Sequence, residues 1–279
     1  MVRDRVFCNG PGGFTPDGRE YVITLEPGQN TPAPWVNVIA SPHIGTVVSD
    51  SGSASTWVEN AHEFRLTPWH NDTLSDSSGE ALYIRDNETG AFWSATPLPA
   101  RGESGYVCRH GFGYSVFEHY QAGISSELYT YVSMDAALKF AVVKLRNHSG
   151  RPRHLSLTGY WELVLGEWRH TNLMHIVTEM DPHSGALFAR NAYGRECAGR
   201  VVFAHVSNEG HGQAEQTLTG NRTEFIGRNG SLASPAAMRR ARLSGRTGAG
   251  LDPCAAIQTG IELADGQERE IVFVFGAAR

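Results

Sequence analysis

Short stretches of alternating apolar and polar residues recur along the chain, the period-2 signature of strands with one buried face. Lys139-Phe-Ala-Val-Val-Lys-Leu-Arg146 reads as such a strand, and Ile124–Val132 is strand-rich. Asn147-His-Ser-Gly150 then supplies turn residues, so the next segment is expected to return antiparallel. That segment, residues 154–165, reads as a long strand in which Gly159 breaks the pattern as a bulge would. Further strands are expected over 20–25, 35–40, 45–49, 81–86, 114–120, 187–191, 200–206, 257–263 and 268–275. Pro16-Asp-Gly18, Glu88-Thr-Gly90 and Ala264-Asp-Gly266 supply turns between them. Helix signals are confined to 234–240, where a serine cap and a proline precede good helix formers. The rest of 220–253 reads as a surface excursion. Many strands joined by short turns predict an all-β fold, a large antiparallel sandwich over residues 1–279 with one or two short helices.

Composition narrows the picture. The chain has 279 residues with 31 glycines, 13 prolines, 10% aromatics and only 19% charged residues. That balance excludes a disordered chain and a coiled coil. A net charge of −5 gives no basic field, so nucleic acid is not an expected partner. Cys8, Cys108, Cys197 and Cys254 lack C-x-x-C spacing, which excludes a zinc ribbon and disfavours a disulfide scaffold. Neither a signal-peptide core nor a run of about 20 apolar residues is present. The chain alone is therefore expected to be soluble and cytoplasmic, without direct membrane insertion.

Three segments carry candidate chemistry. Trp57 and the run Arg65-Leu-Thr-Pro-Trp-His-Asn-Asp72 bring indoles, a guanidinium, an imidazole, an amide and a carboxylate close together. Flat rings and planar polar groups of this kind hold sugars, by stacking on C–H faces and bonding hydroxyls. The same residues would suit a loop that packs tryptophans over a sheet edge. The second segment, residues 106–119, places Arg109 and His110 beside Gly111 and Gly113. It is not a phosphate loop, and a glycine bulge explains it at least as well. In the third, Glu162 and Glu167 point to opposite faces of an extended strand, a poor acid/base pair. There is no H-E-x-x-H and no G-x-S-x-G, and no metal or cofactor is expected.

Several longer motifs occur in one order: Phe7-Cys-Asn-Gly-Pro-Gly-Gly-Phe14, Glu63-Phe-Arg-Leu-Thr-Pro-Trp-His-Asn-Asp72, Arg109-His-Gly-Phe-Gly-Tyr-Ser-Val-Phe-Glu-His119 and Tyr160-Trp-Glu-Leu-Val-Leu-Gly166. Together they resemble the N-terminal β-sandwich of glycoside hydrolase family 94, the cellobiose and chitobiose phosphorylases. Within it they are most similar to the phosphorylase-like part of the cyclic β-1,2-glucan synthases. The resemblance implies a galactose-mutarotase-like supersandwich that accompanies a catalytic (α/α)6 barrel and takes part in dimers. The chain ends just after its last predicted strand, so that barrel and its general acid are expected to lie outside it. A non-catalytic role follows: binding or positioning a β-glucan oligosaccharide and docking onto the barrel or a homodimer partner. Trp57, Arg65, Thr67, Trp69, Asn71 and Asp72 are the first candidates for sugar contact, with Arg109 and His110 next. Two alternatives stand beside this reading. A mutarotase-type epimerase would draw its acid and base from His110, His119, His175 and Glu162. A structural dimerisation module would bury the aromatic loop against a partner. The resemblance also implies a membrane-bound parent protein.

Overall fold

The alternation resolves into three antiparallel sheets in a computed structural model, which describes residues 4–194, 198–207 and 216–279. The largest has ten strands in the order Gly12–Phe14, Glu20–Leu25, Tyr106–Gly111, Tyr114–Gln121, Ile124–Val132, Leu138–Asn147, Glu268–Ala278, Val201–Ser207, Leu187–Asn191 and Ile176–Met180. Gln216–Asn221, Pro253–Leu263, Arg153–Glu162, Glu80–Asp86 and Phe92–Ser94 form a five-stranded sheet. Val36–Ala40, Ile44–Ser49 and Ala54–Val58 form a third. The fold class is thus all-β, as the alternation predicts.

Period 2 decides which side chains enter the core. In Ile124–Val132, Ile124, Leu128 and Val132 are buried, while Glu127, Tyr129 and Tyr131 point away. The hairpin before it turns through Ala122 and Gly123, at φ 50° and 82°. Two successive positive φ values give the twist that a tight hairpin needs. The main core lies between the sheets and includes Leu128, Val143, Leu155, Leu157, Trp161 and Phe273.

One polar cluster joins all three sheets. Lys139, from the ten-stranded sheet, places Nζ 2.7 Å from Glu80 Oε2 in the five-stranded sheet. The same ammonium donates to the hydroxyls of Thr46 and Thr56 in the third. Both charged side chains are buried, so each depends on the other to offset its desolvation.

Several expectations need correction. Residues 147–150 do not form a hairpin: Leu138–Asn147 pairs with Glu268–Ala278, and Arg153–Glu162 lies in the other sheet. The buried Asn147 amide donates to the carbonyls of Arg151, Leu263 and Ala264, so two connections cross between sheets at one corner. Ala264-Asp-Gly266 is the second of these crossings. Gly159 is not a bulge; it keeps unbroken register with Leu82 and Ile257. A Cβ there would lie 2.6 Å from the Trp161 ring, so the glycine makes room for that indole.

The 220–253 excursion is no mere surface loop. Phe225, Ile226, Met238 and Leu243 pack on Tyr83, Tyr160 and Ala256, a second core on the far face of the five-stranded sheet. Among the described residues, helix is limited to Arg222–Ile226, Arg169–Asn172 and the 3-10 turns Leu173–His175 and Ala236–Arg239. The last is the helix expected over 234–240, shortened behind Pro235. Cys8, Cys108 and Cys254 are free, and Cys197 lies outside the described residues. Among these residues no helix is long and apolar enough to cross a membrane.

Candidate functional site

The 65–72 run leaves the strand Ala54–Val58 and folds back over the outward face of the three-stranded sheet. Its root is fixed from several directions. Arg65 bridges Trp57 and Gly166 through its backbone. Its Nε donates to the Ala61 carbonyl at 3.0 Å, and Nη1 reaches the Glu167 carbonyl at 3.3 Å. The guanidinium sits 5.4 Å from the centroid of the Trp168 ring, a cation–π distance. Thr67 is wholly buried. It accepts from the Thr56 N–H and donates to Glu80 Oε1 at 2.7 Å, which ties the loop to the polar cluster.

The tip is different. Trp69 is 45% exposed, Asn71 is exposed at φ 49°, and Asp72 closes a turn. The Asp72 carboxylate accepts from the N–H groups of Leu74 and Ser75 and from the Ser75 hydroxyl. That hydroxyl first, then those N–H groups, holds its carboxyl below the usual carboxylate range. Between tip and sheet lies a cleft of about 270 Å³, lined by Val36, Val47, Ser55, Trp69, Asn71 and Asp72 among others. Apolar floor, exposed indole and polar rim are the ingredients of a sugar subsite.

The sequence candidates therefore separate. Trp69, Asn71 and Asp72 come together at the cleft. Trp57 does not line it; its indole covers Gly45, where a Cβ would lie 2.3 Å from the ring. Arg65 and Thr67 hold the loop's root. Arg109 does not line this cleft; it is buried on the outward face of the ten-stranded sheet, with Nη1 2.6 Å from Glu20 and Nε 2.8 Å from Glu118. His110 points to the opposite side of that strand. Its Nε2–H donates to the Trp35 carbonyl at 3.1 Å while Nδ1 accepts from the Ser115 hydroxyl at 2.9 Å. Burial pulls its pKa below the ordinary histidine value, against the raising effect of the Trp35 bond. Thr67, Arg109 and His110 are thus occupied by protein partners rather than presented in the cleft. Val36, Val47 and Ser55 were not singled out from the sequence, because membership in alternating strands is their only signal.

The epimerase candidates do not converge either. His119 stacks on Tyr106 at 3.8 Å and donates from Nδ1 to the Gly105 carbonyl. Glu162 is buried between Arg169 and Arg222, and His175 stacks on Tyr193. Among the described residues one group, His62, Glu63 and Glu167, has metal-ligand spacing. Both His62 ring nitrogens already lie on carboxylates, at 2.8 and 3.1 Å, so the group reads as an exposed ion-pair triad.

The family model "Glycosyl hydrolase 94, supersandwich domain" matches residues 19–279. Cyclic beta-(1,2)-glucan synthase NdvB of Rhizobium meliloti (strain 1021) is 36% identical over 277 residues, 99% of this chain and 10% of that protein. N,N'-diacetylchitobiose phosphorylase of Vibrio furnissii is 26% identical over 96% of this chain and 33% of its own length. The chain thus spans between a tenth and a third of these two relatives. A solved galactose mutarotase related enzyme from Lactobacillus acidophilus aligns with 88% of this chain and 98% of its own, at 10% identity and a TM-score of 0.46. The chain belongs to the glycosyl hydrolase 94 supersandwich family.

Proposed function

We propose that residues 1–279 work as one accessory domain that binds and positions a β-glucan oligosaccharide for a catalytic (α/α)6 barrel. The single observation that carries this reading is the 65–72 loop. Its root is fastened to the buried cluster through Thr67, while its tip presents Trp69, Asn71 and Asp72 over a cleft. A fixed root keeps the ordering cost of binding low. The domain contributes sugar contact and docking rather than bond cleavage, which belongs to the barrel. Val36 and Val38, 51% and 60% exposed on an edge strand of the three-stranded sheet, favour a docked partner beside the same cleft.

Titration with β-1,2-gluco-oligosaccharides, followed by NMR or calorimetry, tests the reading. The expected affinity is weak, roughly millimolar or about −4 kcal/mol. Trp69→Ala is expected to weaken it by about tenfold, the loss of one stacking contact. Binding that is indifferent to Trp69→Ala, or absent at millimolar sugar, would refute the role of the loop.

A further inference from the structure

We propose that the outward face of the ten-stranded sheet carries a second carbohydrate site, a groove that takes a neutral oligosaccharide. The groove has a volume of about 460 Å³, within the roughly 300–1,000 Å³ of small-ligand sites. It crosses five neighbouring strands, from Tyr106–Gly111 to Glu268–Ala278. At about 4.8 Å per strand step that is a span of roughly 19 Å, a length suited to a chain of sugar rings. The three-stranded sheet packs on the other face, where Lys139 meets Thr46 and Thr56. Groove and 65–72 cleft therefore lie on different sides of the sandwich.

Strand register builds the groove. Glu118 stands opposite Glu127, and Glu127 opposite Lys144. In the next row Tyr120 stands opposite Ser125, and Ser125 opposite Arg146. Two carboxylates facing each other across strands destabilise a sheet, so their partners are informative. Arg109 holds Glu118 at 2.8 Å, and the Tyr129 hydroxyl bonds Glu127. Lys144 lies over the Tyr129 ring at 5.3 Å, with Glu270 at 3.7 Å. A carboxylate has about four acceptor sites, so Glu127 is oriented by these neighbours and still able to accept from ligand hydroxyls.

Lys144, Arg146 and His148 supply donors along the same groove. The Tyr120 ring, 51% exposed, offers a flat apolar face beside them. Acceptors, donors and a flat ring in one groove match the hydroxyls and C–H faces of a sugar. Glu118, Glu127, Glu268 and Glu270 on one face oppose an anionic ligand such as phosphate. The inference takes from the accessory-domain reading only the choice of test sugar.

The experiment is an NMR titration of the full chain with β-1,2-gluco-oligosaccharides, and separately with inorganic phosphate. It is repeated on Tyr120→Ala, Glu127→Gln and Trp69→Ala. In the unmodified chain the sugar is expected to shift the amides around Tyr120, Glu127 and Lys144, and phosphate is not. Tyr120→Ala and Glu127→Gln are each expected to weaken that response by about three- to tenfold, with Trp69→Ala leaving it unchanged. Shifts confined to the 65–72 loop, or a groove response to phosphate alone, would overturn the groove site while sparing the loop reading. Groove shifts without loop shifts would do the reverse, and no shift with sugar would overturn both. Mapping on the unmodified chain gives the answer even where a variant folds poorly.

Discussion

Lys139 and Glu80 show how much one side chain can hold. Removing one partner of a buried pair leaves an uncompensated charge, at a typical cost of about 3–5 kcal/mol. Lys139→Met is expected to lower stability by about that amount in urea unfolding. The double variant with Glu80→Gln is expected to lose less, since no bare charge remains; equal losses would refute the pairing argument. The residue scale also marks where sequence reading stops. Types suited to sugar contact are visible in Trp69, Asn71 and Asp72, and the structure brings those three together. Thr67 and Arg109 look equally suited on paper. Their partners, Glu80 and Glu20, lie 13 and 89 positions away, and no local pattern reveals that those bonds are already made.

At the scale of elements, alternation located most strands and said nothing of sheet membership. A strand with one apolar face looks the same in either layer, so the crossing after Asn147 read as a hairpin. Glycine was ambiguous in the same way: Gly159 accommodates Trp161 and breaks no register. The 220–253 excursion looked polar because its apolar residues are sparse, yet Phe225 is fully buried and stacks on Tyr160 at 4.6 Å. Phe225→Ala is expected to cost about 3–5 kcal/mol in urea unfolding, the range for a buried phenylalanine. A loss below about 1 kcal/mol, as at the surface, would show that the excursion is only peripheral.

The whole molecule should sense acid through its buried imidazoles. Burial lowers the pKa of both His110 and His119 below 6.5, opposed in part by their bonds to backbone carbonyls. Unfolded chains regain the ordinary value and bind more protons in that window, so stability rises with pH there. The contribution is complete above about pH 6.5 and is lost as pH falls below it. Urea midpoints are expected to hold from about pH 7.5 to 6.5 and to drop as pH falls below about 6.5, less so in a His110→Gln, His119→Gln variant. An equally steep fall in that variant would place the sensitivity elsewhere.

The contrast between the loop's anchored root and its exposed tip has a consequence for divergence. Thr67 is committed to the junction of the sheets, and Asp76 is tied to Ser49 of the three-stranded sheet, whereas residues 69–75 bear on the cleft and on local turns. Changes at the tip can therefore accumulate without loosening the sandwich, while changes at the root cost stability whatever the cleft holds. If the cleft holds sugar as proposed, a lineage can retune what it accepts by rewriting about seven positions, and a protein engineer can graft the same segment with the scaffold left alone.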